Sequence, residues 1–150
     1  MDVLSSVYGI AVKEYPRLLA RALDDGQTRV LDPLHLFPSK CHCLLRLPQG
    51  DRQDQRHVRM LALILPQYVY LLINDVETGE IEARKLFLEI KLLRKIASSG
   101  PCRRVLRQLA IDPASLIPWA ALGSSNVEIL REFARSQQPA NDSSLPAAGL

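Results

Sequence analysis

The groups in this chain best suited to chemistry are thiols and imidazoles clustered before residue 45. His35, Cys41, His42 and Cys43 fall in one short stretch, and zinc prefers such ligands, usually four in a tetrahedron. Their spacing lacks a Cys-x-x-Cys knuckle. Residues 40–47 alternate, with Cys41, Cys43, Leu45 and Leu47 on one face and His42, Leu44 and Arg46 on the other, the period of a half-buried strand. On a strand the two cysteines point away from His42. The expected outcome is buried free thiols acting as small apolar side chains, with no metal and no cofactor.

Catalytic constellations are equally sparse. Asp24 with Asp25, and Asp51 with Asp54, sit in polar segments where aspartate commonly caps turns. Ser5, Ser6, Ser98 and Ser99 lack a Gly-x-Ser-x-Gly setting. The seven glycines include no phosphate-cradling loop. His57 is expected to be an exposed residue opening a strand, and a nucleophile at Cys43 or Cys102 would need a histidine partner that only folding supplies. The residues therefore predict a non-enzymatic protein.

Basic charge is the strongest functional signal. On a helical projection Arg84, Lys91 and Lys95 share one stripe, and Arg103, Arg104 and Arg107 follow in the next element. Between Arg84 and Arg107 only Glu89 is acidic. Such a surface suits phosphate or an acidic partner, although no aromatic interleaves with it as a single-strand binder requires. Residues 103–123, RRVLRQLAIDPASLIPWAALG, resemble the helix-turn-helix of phage-repressor-type regulators through Asp112, Pro113, Ser115 and Trp119. That resemblance implies a DNA-reading second helix. It spans about one seventh of the chain. Ala110 stands where the turn glycine is usual, and Pro118 where the reading helix would continue.

These groups must be carried by ordered elements. Helical spacing of Val3, Leu4, Val7, Ile10 and Ala11, resumed after Pro16 by Leu18, Leu19, Ala22 and Leu23, predicts an N-terminal helix kinked or restarted at the proline. Residues 28–31 suggest a short strand. Residues 58–65 and 68–73 are apolar at both parities and are separated by Pro66 and Gln67, which predicts two central strands joined by a wide turn. From residue 80 to 97 the period becomes helical, with Leu86, Ile90, Leu93 and Ala97 on one face. Further helices are expected from Pro101 to Ala110, after Asp112-Pro113, and over 127–135. The fold expected is α+β: an N-terminal helix, a three- to four-stranded antiparallel meander and a C-terminal helical group, with 1–135 one domain and 136–150 a disordered tail.

The chain has 150 residues, 47% of them hydrophobic, and a formal net charge of +3. That suits one domain with a core of its own. Three cysteines without framework spacing fit a reducing compartment. The N-terminus lacks the pattern of a signal peptide. The longest apolar stretch, 60–73, is shorter than a span of about 20 residues, so no membrane span is expected and the cytoplasm or nucleus is. The apolar load exceeds the needs of one small sheet. Tyr68 and Tyr70 on the expected hairpin, and Leu88 and Leu92 among the charges of the expected helix, predict a surface for a protein partner or a second copy. The expected function is an adaptor, chaperone-like accessory or regulatory subunit. The alternative is a nucleic-acid-binding regulator using the basic helices.

Overall fold

Prolines and capping aspartates set many of the element boundaries in the computed structural model, which describes residues 10–24, 26–27 and 29–137. A 3-10 turn, Val12–Glu14, leads into α1 (Tyr15–Arg21), which carries Pro16 in its first turn, where the missing N–H costs nothing. β1 (Leu23–Asp24) pairs antiparallel with β2 (Arg29–Val30), Leu23 opposite Val30. Gly26 takes φ +85° in their connection, and its N–H donates to Asp24 Oδ1. Asp32 then caps α2 (Pro33–Arg46): its carboxylate accepts from the His35 N–H, and Pro33 follows at the first position. Next come α3 (Asp54–Glu77), α4 (Ala83–Ala97) and α5 (Gly100–Gln108). Asp112 caps a 3-10 turn, Pro113–Leu116, and α6 (Trp119–Ser124) and α7 (Glu128–Gln137) finish the described chain.

The fold is therefore 73% helical, with seven α-helices and a single two-stranded sheet among the described residues. This corrects the expected α+β class and its three- to four-stranded meander. The two central strands are one helix. In α3 the buried side chains are Val58, Leu61, Ala62, Leu65, Val69, Leu72, Ile73 and Val76, spaced by one, three or four residues as a helical face requires. Met60, Leu63, Ile64, Tyr70 and Leu71 on the outer side are apolar too, so the sequence reads apolar at both parities and the period is hidden. Pro66 lies inside the helix rather than between strands, leaving the Ala62 carbonyl without its usual amide donor.

The strand expected over 40–47 is likewise helix, the C-terminal half of α2. Leu34, Phe37 and Cys41 are buried on one side of α2, and Ser39 and Cys43 on nearly the opposite side. A helix covered on two sides imitates alternation. α2 packs against α3, α4 and α5, and Phe37 is fully enclosed there with Leu65, Leu86, Ile90 and Leu106. The C-terminal helices run close to expectation: α4 within 80–97, α5 from Gly100, and α7 to Gln137. Residues 1–9 of the expected N-terminal helix lie outside the described residues. Of the segment 136–150, Ser136 and Gln137 close α7, and 138–150 lies outside the described residues.

A buried carboxylate ties the two central helices together. Asp54 is 2% exposed at the first turn of α3, and accepts from Lys40 Nζ of α2 at 3.2 Å and from Arg52 Nε at 2.6 Å. Burial opposes its ionisation, but the Arg52 and Lys40 hydrogen bonds and charges outweigh it and hold the carboxyl below its ordinary value. Asp54→Ala strands Lys40 and removes charge-assisted bonds, at a cost of about 2–3 kcal/mol. Asp51→Ala, at an exposed position, should change stability by less than about 0.5 kcal/mol. Because the folded carboxyl is depressed, its contribution is complete above about pH 5 and is lost as pH falls through the folded value. Urea midpoints of wild type and Asp54→Ala should therefore differ at pH 7 and converge in acid; a pH-independent gap would contradict the pairing.

Candidate functional site

The outer side of α4 joins apolar and basic groups in one groove. The inner face, Leu86, Ile90, Leu93 and Ala97, is buried. One helical turn apart on the other side, Leu88 is 52% and Leu92 44% exposed. Lys91, Arg94, Lys95 and Ser98 complete a shallow groove of about 550 Å³ around them, and Arg84 is exposed one turn before Leu88. Lys91 Nζ stands 5.9 Å from the centre of the Phe87 ring, a cation–π distance. Among the described residues Arg84, Lys91, Arg94 and Lys95 form no salt bridge. The groove thus presents uncompensated positive charge beside leucine side chains.

One flank of α4 is fixed by α1. Arg21 pairs closely with Glu89 and lies 3.6 Å from Asp32; Arg17 reaches Glu89 at 3.6 Å. Leu92 borders a narrow cleft of about 40 Å³ with Arg17, His35 and Glu89. The only acidic residue of the basic stretch is thereby occupied, which leaves the outer cations without a counter-charge among the described residues.

The residues singled out in sequence do not form one patch. Arg84, Lys91, Lys95, Leu88 and Leu92 share the outer side of α4. Arg103, Arg104 and Arg107 are exposed on α5, whose Cys102, Val105 and Leu106 are buried. Tyr70 is exposed on α3, but Tyr68 is half-buried near Asp32 and Arg21; burial, with the Asp32 charge beside it, raises its phenol above the usual value. The sequence reading missed Met60, Leu63, Ile64 and Leu71, which are exposed with Tyr70 along α3. Their spacing was a helical signal, obscured by the equally apolar inner face.

The helix-turn-helix resemblance does not extend to the geometry. Ala110 does adopt φ +54° where glycine is usual. The following segment, however, is a 3-10 turn, an interruption at Pro118 and the six-residue α6. Leu116, Ile117 and Leu122 are buried, and Trp119 Nε1–H donates to the Ala114 carbonyl at 3.1 Å. Trp119 also lies 5.7 Å from the Phe133 ring, which meets Phe87 edge-on at 5.3 Å. The element that would read bases is broken and packed inward.

The thiols and imidazoles are spread around α2. Cys41 is buried with Cys102 of α5; the neighbouring thiol and burial push the Cys41 thiol upward. Cys43 is buried on the other side of α2. His35 Nδ1 lies 2.8 Å from Asp32 Oδ2. Burial works against Asp32, yet bonds and charge from His35, with the Arg21 charge, hold it below its ordinary value. His42 is depressed by burial and by Arg46, and His57 is half-buried in α3. No group of three metal-ligating side chains gathers among the described residues. A cavity of about 380 Å³ between α4, α7 and the 3-10 turn is lined by Arg94, Trp119 and mainly apolar groups, with no carboxylate, imidazole or thiol in its lining.

Compared with known proteins, the chain matches no family model, no curated protein sequence and no solved structure. The surfaces themselves are what bears on function.

The Cys41–Cys102 contact makes a direct prediction. Both thiols are buried, and a buried thiol is a poor nucleophile. Under native conditions at pH 8 iodoacetamide should leave both unmodified by mass spectrometry, and modify both after denaturation. Rapid native labelling of either would contradict the packing of α2 on α5.

Proposed function

We propose that this chain is a non-enzymatic interaction factor, an adaptor or regulatory subunit of the cytoplasm or nucleus, that holds an acidic amphipathic protein segment on the outer side of α4. The observation that carries the reading is the pairing of exposed Leu88 and Leu92 with Lys91, Arg94 and Lys95 in one groove. Apolar contact supplies affinity when leucines leave water, and the cations select carboxylates at the rim and accelerate encounter. A helix laid in a groove is a common form of such recognition.

A second reading rests on a different observation. Arg103, Arg104 and Arg107 are exposed on α5 and unpaired among the described residues. Arg52, Arg56 and Arg59 border another shallow depression at the start of α3. Arginine forks suit phosphates, so nucleic-acid binding is the alternative.

Fluorescence anisotropy separates the two. The probe is a synthetic helix with leucines at i and i+4 flanked by glutamates; a lysine-flanked version and a 20-mer of single-stranded RNA are the comparisons. The glutamate probe should bind best, and Leu88→Asp should weaken it tenfold or more, about 1.4 kcal/mol, without changing the helical circular dichroism. RNA binding that loses affinity steeply with salt and ignores Leu88→Asp would establish the second reading instead.

A further inference from the structure

The exposed face of α3 carries more apolar surface than a solitary helix leaves bare. Met60, Leu63, Gln67, Tyr70, Leu71 and Asn74 recur at three- or four-residue intervals, directly opposite the buried row through Leu61, Leu65, Val69 and Leu72. Leu63 is 77% exposed, and Leu71, Tyr70, Met60 and Ile64 are all exposed as well. We infer that this face is a self-association surface, on which α3 of a second copy of the chain lies antiparallel, with Gln67 at the two-fold axis. The inference stands independently of the α4 groove.

Three features of α3 select a second copy. The first is symmetry. Leu63 and Leu71 lie four residues on either side of Gln67, and Ile64 and Tyr70 three. In an antiparallel pair these four apolar side chains then meet one another, Met60 meets Asn74, and the two Gln67 amides meet each other. Glutamine carries both donor and acceptor, so it can hydrogen-bond its own copy. A two-fold interface requires this self-complementarity.

The second is charge. The first turns of α3 carry exposed Arg56 and Arg59, and its end carries exposed Glu77. Antiparallel pairing sets Arg56 and Arg59 of one copy beside Glu77 of the other, at both ends of the contact. A parallel pair would set like charges together. Each group keeps bonding capacity: Arg59 uses one nitrogen on the Leu109 carbonyl, and Glu77 Oε1 takes the Ser125 and Asn126 donors.

The third is area. The five exposed apolar side chains offer roughly 500–600 Å² per copy, so a pair buries about 1,100 Å², near the lower limit of stable interfaces. A weak, concentration-dependent dimer follows. α3 is also long and apolar enough to cross a membrane by length and composition. Its Arg56, Arg59, Gln67 and Asn74 on the outer side are costly against lipid and serve well in a two-fold pair.

The test is sedimentation velocity between about 1 and 200 µM, with cysteine cross-linking of the full chain. The mass should rise from 16.8 kDa toward twice that value. Helices packed about 8–10 Å apart bring facing Cα atoms within disulfide reach. With oxidised glutathione as oxidant, Gln67→Cys should therefore cross-link to itself. Leu63→Cys and Leu71→Cys should cross-link far better when mixed than alone. Leu63→Glu should abolish the mass increase while keeping the helical circular dichroism. A constant monomer mass with no cross-link above wild type would overturn the inference. So would self-association unaffected by Leu63→Glu, unfolding of Leu63→Glu, which would mean that Leu63 is not a surface residue, or uptake of the wild-type chain by phosphatidylcholine vesicles that Leu63→Glu prevents.

Discussion

The controlling constraint in this fold is that α3 is apolar on two opposite sides while the described residues cover only one. The inner side, through Leu61, Leu65, Val69 and Leu72, is where α2 and the C-terminal helices assemble. Burying each such side chain contributes about 1.5–3 kcal/mol, enough to hold a helix that contains Pro66. The outer side has no such partner among the described residues. Its apolar rows stay in water, where large exposed patches on a folded chain ordinarily signal association.

Polar groups fix where the helices meet. Asp54 links α2 to α3, and Asp32 gathers His35 and Arg21 at the start of α2. Glu77 reaches from the end of α3 to Ser125 and Asn126, and the Ser125 hydroxyl in turn accepts from the Val127 N–H at the entrance to α7. Each carboxylate is held below its ordinary pKa by the donors around it, so all three strengthen the fold above the normal carboxylate range and weaken it below. Glu89 is taken up by Arg17 and Arg21. This leaves the cations of α4 facing outward beside Leu88 and Leu92, the arrangement on which the proposed recognition of an acidic segment rests.

Much of the C-terminal half was legible in the sequence, because α4 and α5 are amphipathic and their polar faces are polar. Gly100 and Asp112 also marked real boundaries. The error lay where the pattern carries no period. In α3 both sides are apolar, and in α2 both sides are buried, so Cys41 and Cys43 two residues apart looked like neighbours on a strand face. Pro66 reinforced the mistake, since tertiary burial around it outweighs a cost of about 3 kcal/mol for proline within a helix. For the candidate sites, Leu88 and Leu92 were visible as breaks in a charged stripe. Leu63 and Leu71 were not, since only the helical geometry separates them from Leu61 and Leu65.

That separation is also the sharpest test. Methyl NMR of the dilute monomer with a soluble paramagnetic probe reports which leucines of α3 meet solvent. The helix with one covered and one bare side predicts strong relaxation of Leu63 and Leu71 and protection of Leu61, Leu65 and Leu72. Equal protection of Leu61, Leu63 and Leu65, as for three residues sharing one strand face, would contradict it.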